Sequence, residues 1–150
     1  MELISKITLI LDLTTFLLIL GSTIVGVLIG ALPGLSSGMA IALLLPFTIY
    51  LEPNQAIAAM AALYCGGTFG GSITAILINA PGAPPAAATA FDGFPMAQNG
   101  KAGKALGMAA VSSVIGGIIS LIVLIIFAPT LAKIAYKFGP PEYFALAIFG

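Results

Sequence analysis

The side chains able to do chemistry in this sequence gather at a few places. Ser36, Ser37 and Gly38 follow Pro33-Gly34, and Ser72 and Thr74 follow the glycine cluster Gly66-Gly67-Thr68-Phe69-Gly70-Gly71. Asn79 precedes Pro81-Gly82, and Thr89 and Asp92 stand just before Gly93. Hydroxyls and amides, joined by free N–H groups at the start of a helix, are donors for an anion. The same oxygens, with the carbonyls of unwound backbone, are ligands for sodium. Gly34, Ser36, Ser37, Gly38, Ser72, Thr74, Asn79 and Gly82 are therefore candidates for binding an anionic substrate. Asn79, Thr89 and Asp92 are candidates for a coupling ion. Asp92 is the only acid between Glu52 and Glu142, and burial would raise its pKa and suit it to carry a proton. Each residue also has a plainer reading. A single Ser or Thr bonds back to its own helix, Asn79 caps a helix, and Asp92-Gly93 makes a turn.

Other chemistries lack their parts. Histidine and arginine are absent and Cys65 is the single cysteine, so neither a Cys/His zinc site nor an internal disulfide can form. No nucleophile has a base at helical spacing, which argues against an enzyme. No glycine-rich phosphate loop of either common pattern occurs. The net charge is zero, so there is no basic face for nucleic acid. No metal site and no organic cofactor is expected, only sodium or a proton as a coupling ion.

The surroundings of these residues are apolar. The chain has 150 residues, 60% hydrophobic and 7% charged, where soluble domains carry roughly 25% charge. The expected fold is therefore an all-α membrane protein embedded in a lipid bilayer. Leu13–Leu51 and Pro53–Phe91 contain no charge, and neither does Ala105–Ala132. A first span is expected at about 13–32, retained in the mature protein rather than cleaved as a signal peptide. Pro33-Gly34 stops it, because proline lacks an amide donor and glycine yields helical order at entropic cost. A half-helix at about 39–51 follows; at ~1.5 Å per residue it is roughly 20 Å long, short of a hydrocarbon core of about 30 Å. Asn54 reads as the N-cap of the next segment, about 54–80. Four glycines there each weaken a helix by about 1 kcal/mol relative to alanine. Either a helix packs very tightly at Gly66, Gly67, Gly70 and Gly71 or the backbone opens; an interrupted segment is expected. Gly26 and Gly30 form a similar pair for close helix packing.

A second unwound element is expected within Asn79–Asp92, and a water-facing loop at 91–104, marked by Asp-Gly, Asn-Gly and two lysines. A further span is expected at about 105–132, and the start of another at 143–150. The whole reads as the N-terminal part of a single transporter membrane domain. Unwound backbone inside apolar sequence is tolerated only within protein or against a water-filled cavity, as in broken transport helices. The two unwound elements are expected to be neighbours that share one cavity. The lysines tie between the loops, so the positive-inside rule leaves orientation open.

Four blocks carry a resemblance: GVLIGALPGLSSGMAIALLLP at 26–46, YCGGTFGGSITAILINAPG at 64–82, TAFDGFPMAQNGKAGKALG at 89–107 and FGPPEYFALAIFG at 138–150. In order and spacing the chain resembles the beginning of the large membrane subunit of tripartite tricarboxylate transporters, the TctA family. The resemblance implies ion-driven uptake of small di- or tricarboxylates by a multi-pass protein of the bacterial inner membrane. It also implies two partners, a small membrane subunit and a secreted solute-binding protein. Ser36 stands where that family often has glycine and Phe69 where it often has tyrosine. Members of that family are several hundred residues long with a second, related half. A pore-forming or assembly subunit with no coupled site of its own is the alternative.

Overall fold

The computed structural model describes residues 12–135 and 138–149. Every regular element among them is helical. The chain divides after Val111 into two compact units.

The first unit begins with α1, Leu13–Gly30. It is followed by α2, Ser37–Leu44, which passes directly into a 3₁₀ turn over Leu45–Tyr50. Then come α3, Pro53–Ile78, and α4, Ala86–Met96. A π turn over Ala97–Lys101 leads into α5, Ala102–Ala135. In the second unit α5 exposes the side chains of residues 112–133, all of Leu121–Phe127 included, and α6 spans Pro140–Phe149. Among the described residues, three helical stretches are long and apolar enough to cross a membrane: Leu13–Gly30, Pro53–Ile78 and Ala86–Lys133.

α1 and α3 run parallel. Thr15 pairs with Gln55 near their starts, Gly26 lies on Leu63 and Gly67, and Gly70 lies on Val27 and Ala31. The segment between them must therefore return the chain to the level where α1 began. Taken as α-helix, Met39–Leu51 is too short for that journey. The helix starts earlier, at Ser37, and Pro46 has no N–H to give to the turn before it, so the chain tightens into 3₁₀ geometry from Leu45. With ~1.5 Å per residue in α and ~2.0 Å in 3₁₀ geometry, Ser37–Tyr50 covers roughly 24 Å. That is close to the roughly 27 Å of α1.

Four expectations need correction. The interruption expected within 54–80 is absent: α3 is continuous through Gly66–Gly71. Its glycines cost helix propensity, but they let α1 approach so closely that a Cβ at Gly66 would stand 2.5 Å from the Thr23 carbonyl oxygen. Opening the helix would instead strand amides and carbonyls in an apolar layer, at several kcal/mol per group. Second, Asn54 is not the N-cap. Glu52 takes that position without a side-chain cap bond, and Pro53 starts the helix, where its missing N–H has no intrahelical partner to lose.

Third, the second unwound element is shorter than expected. Only 79–85 is non-helical, and Thr89 and Asp92 lie in α4. Fourth, residues 91–104 are not a loop. Gly93 is buried against Ile76, where a Cβ would come within 2.6 Å of Ile76 Cγ1. Packing on α3 thus holds Asp92-Gly93 in the helix against its turn preference. The direction changes later, at Asn99 and Gly100, where Gly100 takes φ 74°. Asn99 Nδ2 donates to the Pro95 carbonyl at 2.9 Å and helps close that turn.

Candidate functional site: a junction of small residues

α1 ends at Gly30, and its backbone reverses over residues 31–36. The reversal needs a left-handed residue, supplied by Gly34 at φ 95°. Ser36 then caps α2: the Met39 N–H donates to its Oγ at 3.2 Å. Ser37 follows as the first residue of α2. Its Cβ lies 2.8 Å from the point a Cβ on Gly67 would occupy. A larger residue at 67 would push α2 off α3.

The segment after α3 reaches the same place from the other side. Asn79 ends α3 in the left-handed region at φ 56°, a conformation Asn adopts more readily than other side chains. Beyond it the chain doubles back along α3. The Gly82 N–H donates to the Gly71 carbonyl at 3.4 Å, and Thr74 Oγ1 donates to the same oxygen at 3.2 Å. A Cβ on Gly71 would stand 2.8 Å from the Ala83 nitrogen, and one on Gly82 would collide with the Gly30 carbonyl. Gly30, Ser37, Gly67, Gly71 and Gly82 are all buried. Four segments therefore meet there with almost no side chain between them: the end of α1, the start of α2, the middle of α3 and the turn after it.

The electrostatics of the junction follow from helix ends. The start of α2 presents N–H groups and about half a positive charge, while the end of α1 presents carbonyls and about half a negative one. Lys101 and Lys104 are on exposed faces near the π turn. The arrangement suits an anion at α2 and a cation at α1.

The candidates named from sequence separate into groups. Ser37 and Gly82 are buried at the junction, and Ser36 flanks it, half-buried. Gly34 and Gly38 adjoin it and are exposed. Ser72 and Thr74 do not open a helix: they lie inside α3, where Ser72 Oγ donates to the Thr68 carbonyl at 3.4 Å and Thr74 to Gly71. Asn79 is exposed at the end of α3; Thr89 is half-buried and Asp92 exposed on α4. No group of three His, Cys, Asp or Glu side chains that could hold a metal occurs among the described residues.

Two features escaped the sequence reading. One is the Thr15–Gln55 hydrogen bond, with Thr15 buried between α1 and α3. Its signal was available: each is a polar residue in the first turn of its own charge-free span, and polar groups in lipid seek each other. The other is a hollow of about 180 Å³ between α1, the return segment and α3, lined by Leu18, Ile41, Leu44, Phe47, Met60 and Leu63. Thr48 also borders it, but donates to its own Leu45 carbonyl at 2.7 Å. The hollow is mainly apolar; besides Thr48, Ser22 is the one residue that brings a hydroxyl to it.

Comparison with known proteins bears on this geometry. The profile of the tripartite tricarboxylate transporter TctA family matches residues 16–150. A protein of Agrobacterium vitis, described as an uncharacterized 52.8 kDa protein in the TAR-I ttuC' 3' region, is 46% identical over 127 residues. That match covers 85% of this chain and 25% of the relative's length. No solved structure matches. With its apolar helices and a profile match over nearly its whole length, the chain belongs to the tripartite tricarboxylate transporter TctA family.

Proposed function

We propose that this chain forms part of the membrane subunit of a secondary transporter that takes up small di- or tricarboxylates. In this reading it sits in the bacterial inner membrane and works by symport with sodium or protons. Its partners are a small membrane subunit and a secreted solute-binding protein that delivers the carboxylate. No organic cofactor is needed, because the ion gradient supplies the driving force.

One observation carries the reading. Two non-helical segments, 31–36 and 79–85, converge at buried Gly30, Ser37 and Gly82 within otherwise apolar helices. Non-helical backbone at membrane depth persists only inside protein or beside a water-filled cavity, and transporters place substrate and ion at such points. Gly34, Ser36, Ser37, Gly38 and Gly82 are the proposed substrate side of the site. Ser72 and Thr74 stand behind it on α3. Asn79, Thr89 and Asp92 remain the proposed ion side, on the elements that flank the second break.

The test is uptake of radiolabelled citrate by the intact transporter in proteoliposomes, with its binding protein added outside and sodium or proton gradients imposed singly. Uptake that needs both a gradient and the binding protein supports the proposal. Citrate flux that runs down its own gradient regardless of either would favour a pore-forming subunit and overturn it.

A further inference from the structure

The junction contains several hydroxyls, and the structure separates them by what each is already bonded to. Ser72 and Thr74 donate to carbonyls of their own helix, and so do Thr68, to Tyr64, and Thr23, to Ile19. Ser36 Oγ accepts the Met39 N–H and closes the start of α2. Ser37 differs. Only 5% of it is exposed, yet its hydroxyl has no hydrogen-bond partner among the described residues. No side-chain oxygen sealed from solvent lacks a partner there. The Ser37 oxygen therefore retains some accessible surface, although the rest of the residue is covered.

The covering is done by backbone: Gly67 lies against the Ser37 Cβ, so the residue has little room to turn away. Ser37 is also the first residue of α2, beside the free N–H groups of that helix end. An unspent O–H donor and helix-end N–H groups thus belong to the same turn of chain.

We propose that Ser37 is the specificity-determining hydroxyl of the site, donating its O–H to a carboxylate oxygen of the substrate. The Ser72 and Thr74 hydroxyls donate to backbone instead, and the Ser36 oxygen caps α2 at the edge of the site. The inference rests on the carboxylate-transport reading above and assigns its recognition to one residue. A carboxylate oxygen gains a charge-assisted hydrogen bond there, and the unpartnered hydroxyl gains an acceptor. A primary amide in the carboxylate's place brings a neutral oxygen and forms a weaker bond.

Ser37→Ala retains the Cβ that packs on Gly67 and removes the hydroxyl alone. In the intact transporter, S37A is expected to raise the KM for citrate at least about tenfold, the loss of one hydrogen bond to a charged group, while kcat changes less. Ser72→Ala and Thr74→Val are expected to stay within about threefold of wild type. The second measurement is labelling of Ser37→Cys, in a background lacking Cys65, with a small hydrophilic thiol reagent. Labelling is expected to be slow and to be slowed further by citrate. A KM for S37A within twofold of wild type overturns the inference, as does labelling of the S37C thiol that citrate leaves unchanged. If wild-type protein shows no citrate uptake and S37C labelling ignores citrate, both this inference and the transport reading fall. If wild-type uptake is normal and only S37A is silent, this inference falls alone.

Discussion

Gln55 donates from Nε2 to Thr15 Oγ1 across 3.4 Å, joining residues 40 positions apart. The bond fixes the register of two parallel helices that chain order alone does not pair, since α2 and its 3₁₀ turn intervene. In lipid such side-chain bonds contribute about 0.6 kcal/mol on average and up to ~1.7. A double-mutant cycle of Thr15→Val and Gln55→Leu, read by reversible unfolding in bicelles, is expected to give a coupling energy in that range. A coupling indistinguishable from zero would show that register is held elsewhere.

The seam between α1 and α3 makes a second prediction. A Cβ on Gly26 or Gly70 would meet backbone carbonyls of the facing helix, and backbone cannot step aside as a side-chain tip can. Gly26→Ala and Gly70→Ala are each expected to destabilise by about 1–3 kcal/mol. Gly21, on the same helix as Gly26, has open space where its Cβ would stand. There Gly21→Ala is expected to stabilise by up to about 1 kcal/mol through helix propensity. Thermal unfolding of the three variants in one detergent provides the comparison, and equal shifts at positions 21 and 26 would count against the close seam.

Asn79 supplies a third test. It holds φ 56° at the end of α3, where the left-handed conformation costs an ordinary L residue roughly 1–2 kcal/mol. Asn79→Gly is expected to leave the melting temperature unchanged, while Asn79→Val lowers stability by about that amount. Any uptake lost in a stable Asn79→Gly variant then belongs to the side-chain amide and to its proposed ion role. If Asn79→Val melts with the wild type, the chain reverses by some other means.

Ser36 and Ser37 are neighbours with different expected phenotypes. Ser36→Ala removes the acceptor for Met39 N–H and is expected to cost about 1 kcal/mol of stability, which Ser36→Asn restores. Stability measured beside uptake separates this cap from its neighbour. Recovery of uptake without recovery of stability in Ser36→Asn would assign Ser36 a part in binding.

What the sequence disclosed, and what it hid, follows from the range of the interactions involved. Asp12 ends a charged stretch, and α1 begins at Leu13; Asn99-Gly100 is a turn signal, and the chain turns there. These are local properties. Gly66–Gly71 misled because a glycine's cost is intrinsic while its benefit lies in other parts of the chain, α1, α2 and the turn after α3, and only contact reveals it. Gly93 misled for the same reason: its role is to let α4 lie on Ile76. At the candidate site, proline and glycine marked the two non-helical segments. Which hydroxyls were already spent on Thr68 and Gly71 carbonyls depended on backbone geometry that residue types do not encode.

The parallel course of α1 and α3 has a consequence for sidedness. With Thr15 beside Gln55, the acidic residues Asp12 and Glu52 lie at the same end of the α1–α3 pair. The reversal at 31–36 and the end of α3 at Asn79 then belong to the opposite half. One impermeant label on a cysteine placed at position 52 would therefore assign compartments to both ends of α1 and of α3 at once. That single measurement would identify the compartment from which the Ser37 junction is approached.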